Sequence, residues 1–203
     1  MTPTTAGRFR VLDSPSGDDE WLLLDVESFD PTYVPRSGHD AVDGQVADLR
    51  PGYLIDATLT WAADEPTVTE LSVVKRTLFE FADEITGLFE AAQETWQAAL
   101  AEGDGMRSRI TRSTDNEPNG ALYVFADQPG AQDLFAEFAD GQRPLEPLLE
   151  RVNQSHDDDH EVFVLRPAGE PFVVVYIVFE KGGILADTVR DTYDSPRPDE
   201  PLS

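Results

Sequence analysis

Arg107, Arg109 and Arg112 put three guanidinium groups into six residues of a chain that has only 15 lysines and arginines. The planar fork of arginine grips phosphate or carboxylate through two parallel hydrogen bonds. Around the three lie Thr111, Ser113, Thr114, Asp115, Asn116 and Asn119, all hydrogen-bonding types. The stretch 104–120 is polar and rich in turn formers, so it reads as a domain boundary or a long functional loop, where the arginines could contact an anion. The competing reading is that these arginines pair with nearby acids and fix a connection, since structural ion pairs imitate sites.

A second cationic set is Arg8, Arg10, Lys75 and Arg76, with Tyr33, Tyr53 and Trp61 nearby in sequence. Small β-barrels bind single-stranded nucleic acid through basic grooves and stacked aromatics. Tyr53 and Trp61 alternate in step with Ile55 and Leu59, however, which places them in a core. His156 and His160 enclose three aspartates. On a helix they would share a face, as zinc ligands do at i and i+4. The surrounding residues read as a solvated loop and HExxH is absent, so no metal site is assigned. Asp127 ends an apolar run and is a base or a helix cap, with capping favoured because a helical pattern begins at Leu134. GxGxxG, Walker, GxSxG and kinase patterns are missing. No nucleophile–histidine pair stands out, and no cofactor is expected.

The elements that must position these residues follow from hydrophobic period. Gly7 to Leu12, Trp21 to Phe29, Tyr53 to Trp61 and Val68 to Val74 read as short strands. Tyr53, Ile55, Ala57, Leu59 and Trp61 face inward on the third. Four or five such strands in 1–76 predict a small antiparallel β-barrel, OB-like in size. Thr77-Leu-Phe-Glu80 has the form of a capping box. Leu78, Phe81, Ile85, Leu88, Ala92, Trp96 and Leu100 recur at helical spacing, which predicts one long bridging helix over 77–103, ended by Gly103 and Gly105. Residues 104–193 read as an α+β domain. At its centre stands a hairpin, Glu161 to Phe179, whose second run is apolar throughout and so covered on both faces. The Pro-rich 194–203 reads as a flexible tail.

Forty acidic residues oppose the 15 basic ones, a formal charge of −25. The acids are spread along the chain, unlike an acidic tail. Apolar periodicity is too strong for a disordered chain. A nucleic-acid mimic would be this acidic, but adaptation to molar intracellular salt accounts better for so even a distribution. Cysteine is absent, which excludes disulfides and thiolate chemistry. The first residues lack a basic and an apolar segment, and no run is long enough to span a membrane, so a cytoplasmic protein is expected.

Arg-Pro-Gly-Tyr-Leu-Ile-Asp-Ala-Thr-Leu (50–59), Asn-Gly-Ala-Leu-Tyr-Val-Phe-Ala-Asp-Gln-Pro-Gly (119–130) and Val-Val-Tyr-Ile-Val-Phe-Glu-Lys-Gly-Gly (174–183) resemble an uncharacterised protein family of halophilic archaea. The resemblance covers nearly the whole chain. It implies a salt-adapted cytosol and carries over no catalytic residue.

Taken together, these readings predict a non-catalytic interaction protein. The partner expected is RNA, with another protein as the alternative. The contacts fall to the barrel and the 107–112 arginines, where Lys75, Arg76, Arg107, Arg109 and Arg112 meet phosphate. The rival is an enzyme for a small anionic substrate, with Arg107 and Arg109 as clamp and Asp115 or Asp127 as base. A protein-assembly factor is the third class.

Overall fold

A computed structural model describes residues 1–127, 130 and 133–201. The chain is mixed α+β, with two five-stranded sheets and few helices. The first sheet contains β1 (Thr4–Asp13), β2 (Glu20–Asp25), β3 (Pro31–Pro35), β4 (Leu54–Ala62) and β5 (Glu65–Lys75), with a 3-10 turn at Asp40–Val42 and α1 (Asp43–Ala47) between β3 and β4. The second contains β6 (Leu78–Ile85), β7 (Met106–Arg112), β8 (Pro118–Ala126), β9 (Glu161–Pro167) and β10 (Phe172–Val178). Four helices accompany it: α2 (Glu90–Glu102), α3 (Leu134–Ala139), α4 (Glu146–Asn153) and α5 (Ile184–Thr192).

The first sheet runs β3-β2-β1-β4-β5 and is antiparallel throughout. Its strand β4 keeps the predicted alternation, with Tyr53, Ile55, Ala57 and Leu59 buried and Trp61 half-buried. The sheet curls so far that its outer strands β3 and β5 touch. It does not close into the expected OB-like barrel, because β3 and β5 share no ladder. Pro31 and Pro35 bracket β3 and remove two backbone donors from that edge. The buried His39 ring spans the seam instead. Its Nδ1 accepts from the Val68 N–H at 3.0 Å, so Nε2 carries the proton given to the Pro35 carbonyl. Val11, Trp21, Leu23, Val34, Ile55 and Leu59 fill the concave side.

The second sheet runs β6-β9-β10-β8-β7, antiparallel except for the parallel β6–β9 pair. The hairpin read from the sequence is its centre: every residue of β10 is buried. One face meets α2 and α5 through Trp96, Leu122, Val174, Tyr176 and Val189. The other meets α3 and α4 through Tyr123, Phe138, Leu149, Val173 and Val175. Leu12, Leu22 and Leu24 of the first sheet join that second cluster, which is why β2 is apolar on both faces. Arg10 crosses the same junction. Its guanidinium gives two hydrogen bonds to the Glu146 carboxylate of α4 and one to the Gly52 carbonyl, all buried.

The long bridging helix does not form. Residues 78–85 are β6, hydrogen-bonded alongside β9, and only Glu90–Glu102 is helical, about 20 Å long at 1.5 Å per residue. Phe79 and Phe81 belong to an edge strand whose apolar residues also fit helical spacing, so period alone misled. Thr77 caps no helix; its Oγ1 accepts from the His160 N–H at 3.2 Å. Gly103 ends α2 in the left-handed conformation, as its position predicted.

Candidate functional site: a cleft beside β7

The 107–112 arginines are on a strand, not a loop. Strand β7 is one of the two outer strands of the second sheet and pairs with β8. Exposed edges carry charged side chains in place of apolar alternation, and that is why the stretch read as polar connection. Alternate residues of a strand take opposite faces. Arg107 and Arg109 lie opposite Val124 and Leu122, on the α2 side, where Arg107 pairs with Asp104 and Arg109 pairs with Glu94 of α2 at 2.8 Å. Ser108 and Ile110 lie opposite Tyr123 and Ala121, on the α4 side. Arg112, past a register shift, donates to the Asn116 carbonyl and makes no ion pair among the described residues. The expected trio is therefore split between two faces.

On the α4 side a cleft of about 400 Å³ opens. Tyr123, Phe179, Ala121 and Val152 line its apolar part; Ser108, Arg112, Arg151, Ser155 and His156 supply the polar part, with a wall from Arg109. Tyr123 and Phe179 are buried and fixed by the core. The His156 ring stacks on Phe179 with centroids 4.1 Å apart and planes 21° apart. Burial raises the Tyr123 phenol, opposed by the charge of Arg151 beside it, so it stays a neutral donor. No aspartate or glutamate lines the cleft among the described residues. Arg151, on the last turn of α4, makes no ion pair among the described residues. Four of the 15 basic side chains are without a carboxylate partner there (Arg50, Arg76, Arg112 and Arg151), and two of these four face this one cleft. A larger groove beside α2 is rimmed by Glu90, Glu94 and Glu170, the wrong sign for an anion.

The other predicted cations lie elsewhere. Lys75 is committed to Asp157, next to His156 in the chain. Arg76 lies over the Tyr53 ring, 5.5 Å from its centroid, and donates to its hydroxyl at 3.3 Å. Tyr53 in turn donates to Glu200, whose carboxylate also accepts from Lys181 at 2.8 Å. The Pro-rich segment read as a flexible tail thus lies against the body up to Pro201, with Arg50 donating to the Asp199 carbonyl and Arg197 to Glu161. Arg8 pairs with Asp56, and Arg10 is buried against Glu146.

His156 and His160 both pack on the Phe179 ring, with centroids at 4.1 and 6.3 Å. His160 is buried, with Nδ1 at 2.9 Å from the Phe179 carbonyl and Nε2 at 2.9 Å from the Asn153 side chain. No three His, Asp or Glu side chains cluster as metal ligands among the described residues. Asp127 does not cap α3; Asp133 does, accepting from the Ala136 N–H at 3.1 Å. Gln128 and Pro129, which follow Asp127, lie outside the described residues. Neither Asp115 nor Asp127 lines the cleft. No described helix is long and apolar enough to cross a membrane.

Sequence reasoning missed Arg151, Tyr123 and Phe179. Each sits in a segment whose apolar pattern already explained it, and only the sheet register brings them together.

Compared with known families, residues 1–198 match DUF6663, described as a family of unknown function. The chain belongs to DUF6663. A comparison with curated proteins finds no match. Membership spans both sheets and the cleft, and it brings no activity with it.

Proposed function

We propose that this DUF6663 chain is a non-catalytic RNA-binding protein that takes a single strand in the cleft beside β7. The supporting observation is the distribution of free charge. In a chain of −25, two of the four basic side chains without an ion pair among the described residues line one cleft that holds no carboxylate of those residues. Arg112 and Arg151 meet phosphate through charge-assisted bonds. A base packs on the apolar floor beside the His156–Phe179 stack and the Tyr123 ring, and the serines at the rim supply hydrogen bonds. The acidic remainder suits a cytosol rich in potassium salts, where bulk electrostatic attraction is screened and stacking must carry affinity. Lys75, Arg107 and Arg109 take no part in this contact, since each is paired with a carboxylate, and Arg76 lies away from the cleft over Tyr53.

Fluorescence anisotropy of a labelled single-stranded RNA 12-mer in molar KCl tests the reading. Arg151→Ala weakens binding about 10- to 100-fold, the equivalent of one charge-assisted hydrogen bond at roughly 1.5–3 kcal/mol. Arg107→Ala leaves it unchanged. Equal affinity for wild type and Arg151→Ala removes the cleft from the account.

A further inference from the structure

Beneath the C-terminal segment lies a second set of converging donors. We propose that Tyr53, Arg76 and Lys181 form a binding site for a phosphate monoester, for which the Glu200 carboxylate of the chain's own tail stands in. The site does not depend on the RNA reading and shares no residue with the β7 cleft.

Three observations carry it. First, the donors are held by the body as well as by the tail. Tyr53 is 1% exposed, and Lys181 is anchored on the Arg76 carbonyl at 2.6 Å. The Arg76 N–H is held by the Asp159 carboxylate at 3.2 Å. Arg76 and Lys181 both lie over the Tyr53 ring, at 5.5 and 5.8 Å from its centroid. Second, among the described residues Glu200 forms an ion pair with Lys181 alone and the Arg76 guanidinium makes none; the nearby Asp159 carboxylate is turned to the Arg76 backbone N–H. A phosphate dianion carries a second charge and offers an oxygen to each of the three donors. Third, the end of the tail is tied down by polar groups alone. No residue from Asp191 to Pro201 is buried; Arg197 is anchored on the buried Glu161 carboxylate, and past it the ties are the Arg50 bond to the Asp199 carbonyl and the half-buried Glu200 contacts. Segments of that kind open at small free-energy cost. The Tyr53 phenol is pushed up to about 12, by burial first and by the Glu200 carboxylate second, as expected beside a resident anion.

A free carboxylate is a poor candidate ligand, because the tail presents the same group at high effective concentration. The more highly charged phosphate monoester can displace it.

The test uses the full-length chain in molar KCl, with inorganic phosphate as probe and isothermal titration as readout. Glu200→Gln removes the internal competitor and tightens phosphate binding about tenfold or more, the order expected for losing an intramolecular ligand. Glu200→Gln with Lys181→Gln abolishes the gain. Equal affinity for wild type and Glu200→Gln overturns the proposal, and so does a gain that survives Lys181→Gln. Circular dichroism checks that the variants fold. Should Glu200→Gln fail to fold, wild-type protein labelled with carbon-13 at glutamate decides the matter. Saturable movement of the Glu200 carboxylate resonance toward its free position supports the site, and a resonance unmoved by high phosphate overturns it.

Discussion

Glu146→Gln is the sharpest test of how the two sheets are joined. Arg10 on β1 is 4% exposed, and its side chain makes three hydrogen bonds. Two of them end on the Glu146 carboxylate, at 2.5 and 3.0 Å, and the third on the Gly52 carbonyl at 2.8 Å. The guanidinium also lies 5.6 Å from the Phe79 ring centroid. Glutamine keeps the volume and one acceptor but removes the charge. The buried guanidinium is then left uncompensated, a loss of about 3–5 kcal/mol. For a chain of this size each kcal/mol moves the melting temperature by roughly 2–4 °C, so the fall is about 6–20 °C. Thermal unfolding followed by circular dichroism in molar KCl measures it. Replacing both partners by apolar groups, Arg10→Met with Glu146→Leu, removes the unpaired charge and recovers most of the loss. A shift of less than about 2 °C for Glu146→Gln would refute the reasoning, because it would mean that water reaches the guanidinium.

Three more predictions concern stability. Gly52 has φ +102°, and a Cβ there would lie 2.5 Å from the Phe79 nitrogen and 2.6 Å from the Thr77 oxygen. Both neighbours are backbone, so Gly52→Ala leaves little folded protein, and soluble yield with circular dichroism reports it. Burial lowers the His160 pKa below the ordinary histidine value, opposed by the Phe179 carbonyl. The unfolded chain therefore binds the proton first, and stability present above about pH 6.5 is lost as pH falls through the folded pKa. The melting temperature of the wild type drops between neutral and mildly acidic pH more than that of His160→Gln, and parallel curves would exclude the effect. Finally, repulsion among 40 acidic residues is screened by salt, so the melting temperature rises with KCl. A melting temperature insensitive to KCl would sink the salt-adapted reading.

Much of the fold was legible where burial follows period. Strand β4 alternates because one of its faces packs into the concave core, and β10 is apolar throughout because helices cover both faces of its sheet. The 161–179 hairpin was readable for the same reason, with its turn residues between two apolar runs. Elsewhere the pattern was degenerate. Leu78, Phe81 and Ile85 satisfy a helical repeat, yet the neighbouring Phe79 is also buried, and pairing with β9, more than 80 residues away in the chain, decides for a strand. Strand β7 was hidden because an outer strand needs no apolar alternation. The open seam of the first sheet depends on His39 and two prolines, which no period reveals. The cleft was least legible. Arg112 was among the residues read as an anion contact, but its companions Arg151, Tyr123 and Phe179 come from α4, β8 and the residue after β10, and only tertiary register assembles them.

The most direct test of the RNA reading is ultraviolet cross-linking in intact, salt-loaded cells that express the chain. Denaturing purification, nuclease trimming and peptide mapping by mass spectrometry follow. The account predicts nucleotide adducts on peptides that carry Tyr123, His156 or Phe179, and their loss in the Arg112→Ala, Arg151→Ala double variant. Absence of nuclease-sensitive mass, or adducts confined to the first sheet, would contradict it.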